Sequence, residues 1–322
     1  MNSIKNRLAV ICTLCALAAL ISASSEVMSS CRYALTLCAE LIIPSLFPFF
    51  VLSILLNRLG LPAFLGRVTA PMAQLLFGVS GAGASALIMG LTGGYPLGAA
   101  YIADMHRSGA VSTDEAEQLL GFCNNSGPAF IIGAVGAGVF SSAGVGLFLY
   151  CVHILSAVLT GIILRNGSWT GSGRVQLPDS VLPFSQALPS AVKQALVSIL
   201  NVCSFVVCFT VLAGLLDADG FFSLAVGRIA AATGWEMHWV RSLLTGFLEL
   251  GSGVGAMRGL AASPINLAMA AFVLDWGGVS VHFQTMALLA GSEIKGALHP
   301  AGRLISASIA AVLAYFGFTL VF

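Results

Sequence analysis

Charged residues are scarce in this chain: lysine, arginine, aspartate and glutamate together make up 8% of its 322 residues. Soluble domains carry about a quarter charged residues, so this composition excludes an ordinary water-exposed globular surface. Hydrophobic residues are abundant instead, at 58% of the chain, and the mean hydropathy is +0.96. The composition therefore predicts an integral membrane protein whose main partner is the lipid bilayer.

A strong net charge and enzyme motifs are also missing. The formal net charge of +1 gives no reason to expect nucleic acid as a partner. The sequence contains no HExxH motif, no GxSxG motif and no phosphate-binding GxxxxGK(S/T) motif. We therefore expect no catalytic residues, no cofactor and no metal. Any transport must be driven by an ion or solute gradient rather than by ATP.

The cysteines form no disulfide or metal-binding pattern. The one C-x-x-C pair, Cys12 with Cys15, lies in an apolar run without a histidine or acidic neighbour. We interpret the cysteines as small side chains within apolar helices. They are Cys12, Cys15, Cys31, Cys38, Cys123, Cys151, Cys203 and Cys208.

The N-terminus resembles a signal peptide, because Lys5 and Arg7 precede an apolar run from Leu8 to about Ile21. Since many further apolar segments follow, an uncleaved transmembrane helix within residues 1–29 is the preferred interpretation. The two basic residues then hold the N-terminus in the cytoplasm.

Hydropathy divides the remaining chain into continuous and interrupted apolar segments. A span needs about 20 apolar residues, and continuous spans are predicted near 8–25, 41–59, 143–165, 191–214 and 303–322. Residues 61–79 contain two prolines and an arginine, which favours an interfacial or re-entrant segment. Four further segments contain breaks: 82–103, 118–140, 242–262 and 264–290. Ser112 and Glu115 form the sequence pattern of a capping box, which predicts a helix start in water.

The breaks occur at matching places in two halves of the chain, at an offset of about 155 residues. This order predicts two repeats, 30–165 and 184–322, joined by a polar loop over 166–183. The distribution of basic residues favours an inverted relation between the repeats, although Arg241 and Arg258 then contradict the positive-inside rule. The predicted fold is an all-α polytopic membrane protein with two inverted repeats, re-entrant hairpins and broken transmembrane helices.

Broken helices in paired repeats point to a transporter's binding site at the middle of the membrane. Hydrocarbon cannot satisfy free peptide groups, so unwound backbone survives there only inside protein or beside a water-filled cavity. The predicted substrate-binding residues are Thr92, Gly93, Gly94 and Tyr95; Asn124, Asn125 and Ser126; Glu249, Gly251, Ser252 and Gly253; and Gly277, Gly278, Ser280 and His282. Glycine contacts between helices, proline kinks and polar interhelical bonds are the structural alternatives.

Two acidic residues lie within apolar segments. Burial in hydrocarbon disfavours a charged carboxylate, so Glu249 is expected to take up and release a proton; an ion pair with Arg258 or a neutral hydrogen bond is the alternative. Asp275 lies near a helix end, where capping of Gly277 and Gly278 competes with a functional role. Farther along, Glu293, Lys295 and His299 are expected at an interface with water, and Arg303 is expected to cap the final span.

Three segments resemble the YlbJ-type sporulation integral membrane proteins: 43–53 (IPSLFPFFVLS), 89–99 (MGLTGGYPLGA) and 276–284 (WGGVSVHFQ). That family carries the nucleoside-recognition gate domain, and the resemblance covers about residues 30–310. It implies a membrane protein of endospore formers that moves dipicolinate toward the forespore. The family pattern T-N-F-S-N-P is met by 123–128, where Asn124, Ser126 and Pro128 match while Cys123, Asn125 and Gly127 depart.

These observations together predict a carrier in the bacterial cytoplasmic membrane that works by alternating access. Its substrate is a small organic solute, anionic or nucleoside-like, and by resemblance dipicolinate; a proton or Na⁺ is the expected coupling ion. Three alternatives stay open: a nucleoside-like solute carrier, a non-transporting membrane scaffold in sporulation, and an intramembrane enzyme using Glu249, Asp275 and His282. A homo-oligomer also stays open.

Overall fold

The computed structural model describes residues 2–165 and 182–322, and these form helices and connecting turns without a β-strand. An N-terminal helix, α1 (Asn2–Ser22), precedes two sets of seven helices. The first set is α2 (Ser24–Arg58), α3 (Leu61–Phe77), α4 (Gly81–Gly93), α5 (Leu97–Arg107), α6 (Thr113–Cys123), α7 (Ala129–Val139) and α8 (Ala143–Ile163). The second set is α9 (Phe184–Ala218), α10 (Phe221–Thr233), α11 (Met237–Leu248), α12 (Leu250–Gly255), α13 (Pro264–Trp276), α14 (Gly278–Leu289) and α15 (Leu298–Val321).

The two sets follow the same order. Each begins with a 35-residue helix, α2 or α9, and each ends with an unbroken helix of more than 20 residues, α8 or α15. Short helices separated by breaks lie between them in both sets. This order agrees with the predicted repeat, while the inverted relation and the repeat boundaries stay predictions. The predicted connecting loop, 166–183, lies outside the described residues except for its last two positions.

The structure is that of an all-α polytopic membrane protein. Five helical segments among the described residues are long and apolar enough to cross a membrane: Ser24–Arg58, Ala143–Ile163, Phe184–Ala218, Pro264–Leu289 and Leu298–Val321. Large apolar side chains such as Leu75, Leu200 and Phe316 are exposed on the outside of the bundle, where lipid replaces water. The predicted multi-pass architecture is therefore confirmed.

Several predicted helix limits were wrong. The spans predicted at 41–59 and 191–214 begin at Ser24 and Phe184, because a helix makes its backbone hydrogen bonds internally and continues through polar residues beyond its apolar window. Residues 61–77 form one helix, α3, with Pro62 in its first turn, where proline is tolerated. The part of α3 from Phe64 to Phe77 is bent by 96° against α4, which is the geometry of a broken span or a re-entrant loop.

Helix α6 begins at the predicted cap, but the capping box was only half right. Ser112 accepts a hydrogen bond from the backbone N–H of Glu115 at 3.2 Å, as predicted. The Glu115 carboxylate does not return to Ser112; it accepts the backbone N–H of Ser80 at 2.6 Å, at the start of α4. Glu115 thus joins α6 to α4 and is itself buried.

Candidate functional site

All four predicted helix breaks are present. Helix α4 ends at Gly93 and α5 begins at Leu97; α6 ends at Cys123 and α7 begins at Ala129. In the second set, Glu249 separates α11 from α12, and Gly277 separates α13 from α14. Local sequence explains the first and fourth breaks, since glycines at 94, 277 and 278 adopt positive φ, a region that other residues avoid.

The four breaks meet in the middle of the bundle. A Cβ placed on Gly94 would lie 2.7 Å from the backbone nitrogen of Gly127, so the first and second breaks are in direct contact. The third and fourth breaks touch in the same way, because a Cβ on Gly278 would lie 2.9 Å from the nitrogen of Leu250. The Ser126 hydroxyl donates to the Leu274 carbonyl at 3.0 Å and joins the two halves.

Replacing Gly94 with alanine should therefore destabilise the fold by about 2–6 kcal/mol. Its backbone combines a positive φ of 81° with an extended ψ of 178°, which costs an L-residue about 1–3 kcal/mol, and the added methyl group must displace the Gly127 backbone at a further cost of about 1–3 kcal/mol. Gly109→Ala is the matched control, because Gly109 also has a positive φ, +74°, but has nothing within 4 Å of its Cβ position. Unfolding in detergent micelles measures both; equal losses would contradict the contact between the breaks.

A cavity lies where the breaks converge. Its volume for water-sized molecules is about 40 Å³, and the polar side chains in its wall are those of Tyr95, Ser126, Glu249 and Gln284. Phe50 and Phe130 are among the apolar residues that complete the wall. A water needs roughly 10–15 Å³ by this measure, so the cavity holds a few waters at most. In the described conformation this space is too small for an organic substrate.

A second and larger hollow lies on the other side of α12. This cleft, of about 400 Å³, is open and is lined by polar residues that include Tyr33, Thr210, Asp217, Arg241 and Ser252. The hydroxyls of Thr210 and Ser252 are hydrogen-bonded at 2.9 Å. Because α12 contributes Gly251 to the cavity and Ser252 to the cleft, this short helix forms part of the partition between them.

Glu249 faces the cavity but does not form the ion pair considered from sequence. No salt bridge to Arg258 occurs among the described residues, and Arg258 is exposed. The Glu249 side chain turns back and accepts the backbone N–H groups of Gly251, at 2.9 Å, and Ser252. The protein's own carboxylate therefore occupies the N-terminus of α12, the position at which free N–H groups for an anion were expected.

Most predicted polar ligands at the second break are bonded within the protein. The Asn124 side chain accepts from the Ala99 N–H at 3.2 Å, donates to Thr285 at 2.9 Å and lies 3.0 Å from His299 Nε2. Asn125 donates to the Phe122 carbonyl at 2.9 Å. These asparagines act as interhelical bonds, which was the structural alternative, although Ser126 also lines the cavity.

The remaining predicted residues are divided between the cavity and its surroundings. Gly94, Tyr95 and Gly251 line the cavity. Thr92 is exposed and donates to the Ile88 carbonyl at 2.7 Å, so its hydroxyl does not face the site. The others lie in the wall behind: Gly93 packs against Leu97, Gly253 against Gly246, and Gly277 against the Tyr95 ring, while Gly278, Ser280 and His282 are buried in α14.

Sequence reasoning missed a buried network around Asp275. The carboxylate does not cap Gly277 or Gly278; it lies 2.7 Å from His153 Nδ1 and accepts the hydroxyls of Ser156 and Ser306, each at 2.6 Å. His153 Nε2 accepts the Ser126 N–H at 3.0 Å, so the ring is neutral and its proton is on Nδ1. The signal was present in the sequence, since His153 is an ionisable residue within an apolar span.

Two more predictions were wrong in the same region. His299, expected at an interface with water, and Arg303, expected to cap the final span, are both 0% exposed. Arg303 Nη1 donates to the Asn124 carbonyl and to Asn125 Oδ1, both at 2.9 Å, and to the Tyr95 hydroxyl at 3.4 Å. The physical reason is that α15 begins at Leu298, and its first turns pack against α6 and the second break.

The sequence is similar to that of a named membrane protein. It is 29% identical over 297 residues to the "Sporulation integral membrane protein YlbJ" of Bacillus subtilis (strain 168), and the match covers 85% of this chain and 73% of that protein. No family model and no solved structure matches the chain. The resemblance to YlbJ-type proteins expected from the motifs is thus confirmed, and with the apolar helices it supports a multi-pass protein of a bacterial cell membrane.

Proposed function

We propose that this YlbJ-type membrane protein carries a small organic anion across the bacterial membrane by alternating access, without ATP hydrolysis. The observation that supports this most is the cavity at which broken helices from both halves of the chain converge. Irregular backbone at membrane depth is the usual construction of a carrier's binding site. The proposed substrate class is a small aromatic dicarboxylate such as dipicolinate.

The two hollows suggest how the carrier opens. One face of α9 runs along both of them: Val202 and Val206 line the cavity, and Thr210, Gly214 and Asp217 line the cleft. Since α12 separates the hollows, movement of α12 away from α9 would join them and expose the site to one side of the membrane. A substrate the size of a pyridine ring needs such an opening, because the cavity holds only a few waters.

The wall chemistry suits a flat, partly charged solute. Phe50 and Phe130 offer apolar surface for a ring, while Tyr95 and Gln284 offer hydrogen-bonding groups at its edge. Glu249 faces the same space and would repel an anion while it is ionised. We therefore propose that Glu249 binds a proton when the anion enters, which couples transport to a proton gradient.

Glu249→Gln should abolish accumulation driven by a proton gradient while leaving downhill exchange of substrate across the membrane. The amide is neutral at all pH values, so substrate binding no longer requires proton uptake. Radiolabelled dipicolinate uptake into proteoliposomes, with and without an imposed pH gradient, measures both properties. Glu236→Gln is the matched control, since Glu236 is 63% exposed. Accumulation that is unaffected by Glu249→Gln would remove the proton-coupling proposal.

A ligand-stability panel tests the carrier proposal itself. Purified protein in detergent should be stabilised by about 2.7 kcal/mol when the true substrate is present at 100 times its dissociation constant. The panel contains dipicolinate, monocarboxylates of pyridine and several nucleosides. Stabilisation by nucleosides alone would replace the carboxylate with a nucleoside-like substrate, and no stabilisation by any solute would contradict a carrier role.

A further inference from the structure

The unsatisfied buried groups of the protein are concentrated in one place. Among the described residues, five buried side-chain nitrogen or oxygen atoms have no hydrogen-bond partner. They are Ser280 Oγ, His282 Nε2, Gln284 Oε1, Arg303 Nε and Arg303 Nη2. All of them belong to α14 or the first turns of α15, and Ser280 and Gln284 lie one helical turn apart on α14. An unpaired buried polar group costs about 1–3 kcal/mol, so such a concentration suggests an absent ligand.

Arg303 has the geometry of a carboxylate-binding arginine. Its Nη1 is held by the Asn124 carbonyl and the Asn125 side chain, which fixes the plane of the guanidinium group. The two unpartnered nitrogens, Nε and Nη2, lie on the same edge of that plane. This edge presents two parallel N–H groups and matches the two oxygens of a carboxylate.

No acidic side chain of the described residues satisfies this edge. Arg303 takes part in no ion pair within 4 Å in that part of the chain. Asp275, which lies on the other side of the Tyr95 hydroxyl, already accepts from His153, Ser156 and Ser306. The Glu249 carboxylate already accepts backbone N–H groups at the N-terminus of α12.

The guanidinium group of Arg303, which carries this free edge, lies next to the wall of the central cavity. The Tyr95 hydroxyl lies 3.4 Å from Arg303 Nη1, and the Tyr95 side chain lines the cavity. Gln284, whose Oε1 is one of the unsatisfied atoms, lines the same cavity. Because Nη1 is the atom next to Tyr95, the free edge lies on the far side of the guanidinium group, and both side chains must move before that edge reaches the space in which the substrate is proposed to bind.

We propose that Arg303 binds one carboxylate of the substrate through Nε and Nη2 when the site opens. This inference rests on the proposed carrier function and specifies the ligand: an organic acid with a carboxylate that can reach the guanidinium group behind Tyr95. The guanidinium charge also offsets the repulsion that Glu249 exerts on an anion.

The unaltered protein provides the first test. Dissociation constants are measured in detergent for pyridine-2,6-dicarboxylate and for pyridine-2,6-dicarboxamide, which has the same shape without charge. The dicarboxylate should bind roughly 10- to 100-fold more tightly, because charge-assisted bidentate hydrogen bonds are lost in the amide. Equal affinities overturn the Arg303 subsite but leave the carrier proposal standing; binding of neither compound, nor of any other solute in the panel, contradicts both.

Two substitutions locate the effect at Arg303. Arg303→Lys retains the positive charge but not the two parallel N–H groups of the guanidinium edge, and Arg303→Gln removes both. Each should weaken dicarboxylate binding by roughly 10-fold or more and leave dicarboxamide binding nearly unchanged. Arg228→Lys and Arg228→Gln, at an exposed arginine, are the matched controls. Variants that fold and bind the dicarboxylate normally overturn the proposal; if they do not fold, the comparison of the two compounds on the unaltered protein decides it.

Discussion

Asp275→Ala is expected to lower the free energy of unfolding by about 2–6 kcal/mol, because it leaves one buried donor unpaired, at about 1–3 kcal/mol, and removes two further hydrogen bonds, at about 0.5–1.5 kcal/mol each. The substitution leaves the His153 Nδ1–H without an acceptor in the core. The Ser156 hydroxyl keeps the His153 carbonyl as an acceptor at 2.9 Å, and the Ser306 hydroxyl keeps Ser156 Oγ at 3.3 Å. The carboxylate that joins α8, α13 and α15 is lost. The loss is measured by titrating a denaturing detergent into micelles of the purified protein.

An exposed acidic residue provides the control. Asp104 pairs with Arg107 at 2.6 Å, but both side chains are about 60% exposed, at 63% and 60%. Asp104→Ala should therefore cost less than about 1 kcal/mol. A double-mutant cycle with His153→Ala should show that the losses of His153 and Asp275 are not additive, because each removes the other's partner. A small, additive effect of Asp275→Ala would show that the network does not hold the fold together.

Cross-linking α9 to α12 should reduce uptake to background. The Thr210 and Ser252 hydroxyl oxygens are 2.9 Å apart, so cysteines at these positions need only a small adjustment to form an S–S bond of about 2.05 Å. The bond would hold α12 against α9 and keep the cavity separated from the cleft. Since alternating access requires that separation to open, nearly complete loss of dipicolinate uptake into proteoliposomes is expected on oxidation, with recovery on reduction.

The eight native cysteines must first be replaced so that only the engineered pair can be oxidised. Thr210→Cys and Ser252→Cys are tested singly as controls, because neither can form the intramolecular cross-link and both should transport normally under oxidising conditions. Mass spectrometry of the digested protein confirms the bond. Full uptake by the cross-linked protein would show that α12 does not open the site.

The breaks were predictable because their causes are local. Glycines at 94, 277 and 278 permit a positive φ, and Pro96 and Pro128 lack the backbone N–H that a helix continuing through them would use. Helix lengths were less predictable: α2 and α9 extend well beyond their apolar windows, because helix ends depend on hydrogen bonds and neighbours rather than on hydropathy alone. For residues 61–79 the sequence indicated only an interfacial or re-entrant segment. The 96° bend between α3 and α4 was not predicted.

The candidate site was predicted in part. Tyr95 and Glu249 face the cavity as expected, whereas Thr92 is exposed and Asn124 is used in packing. The choice between ligand and structural bond depends on which side chain comes within about 3 Å, and sequence spacing does not contain that distance. Glu249 shows this most clearly, since its carboxylate satisfies the helix end that it was expected to leave free for the substrate.

The amino-acid sequence by itself determined that this protein lies in a membrane, is entirely helical and is interrupted at four places, because hydropathy, glycine and proline act over a few residues. Only the tertiary structure decided which polar groups satisfy one another. His153 meets Asp275 across 122 residues of chain, and Arg303 meets Asn125 across 178. Such pairs arise when packed helices exclude water, and the free edge of Arg303 became visible only from the partners of its Nη1 atom.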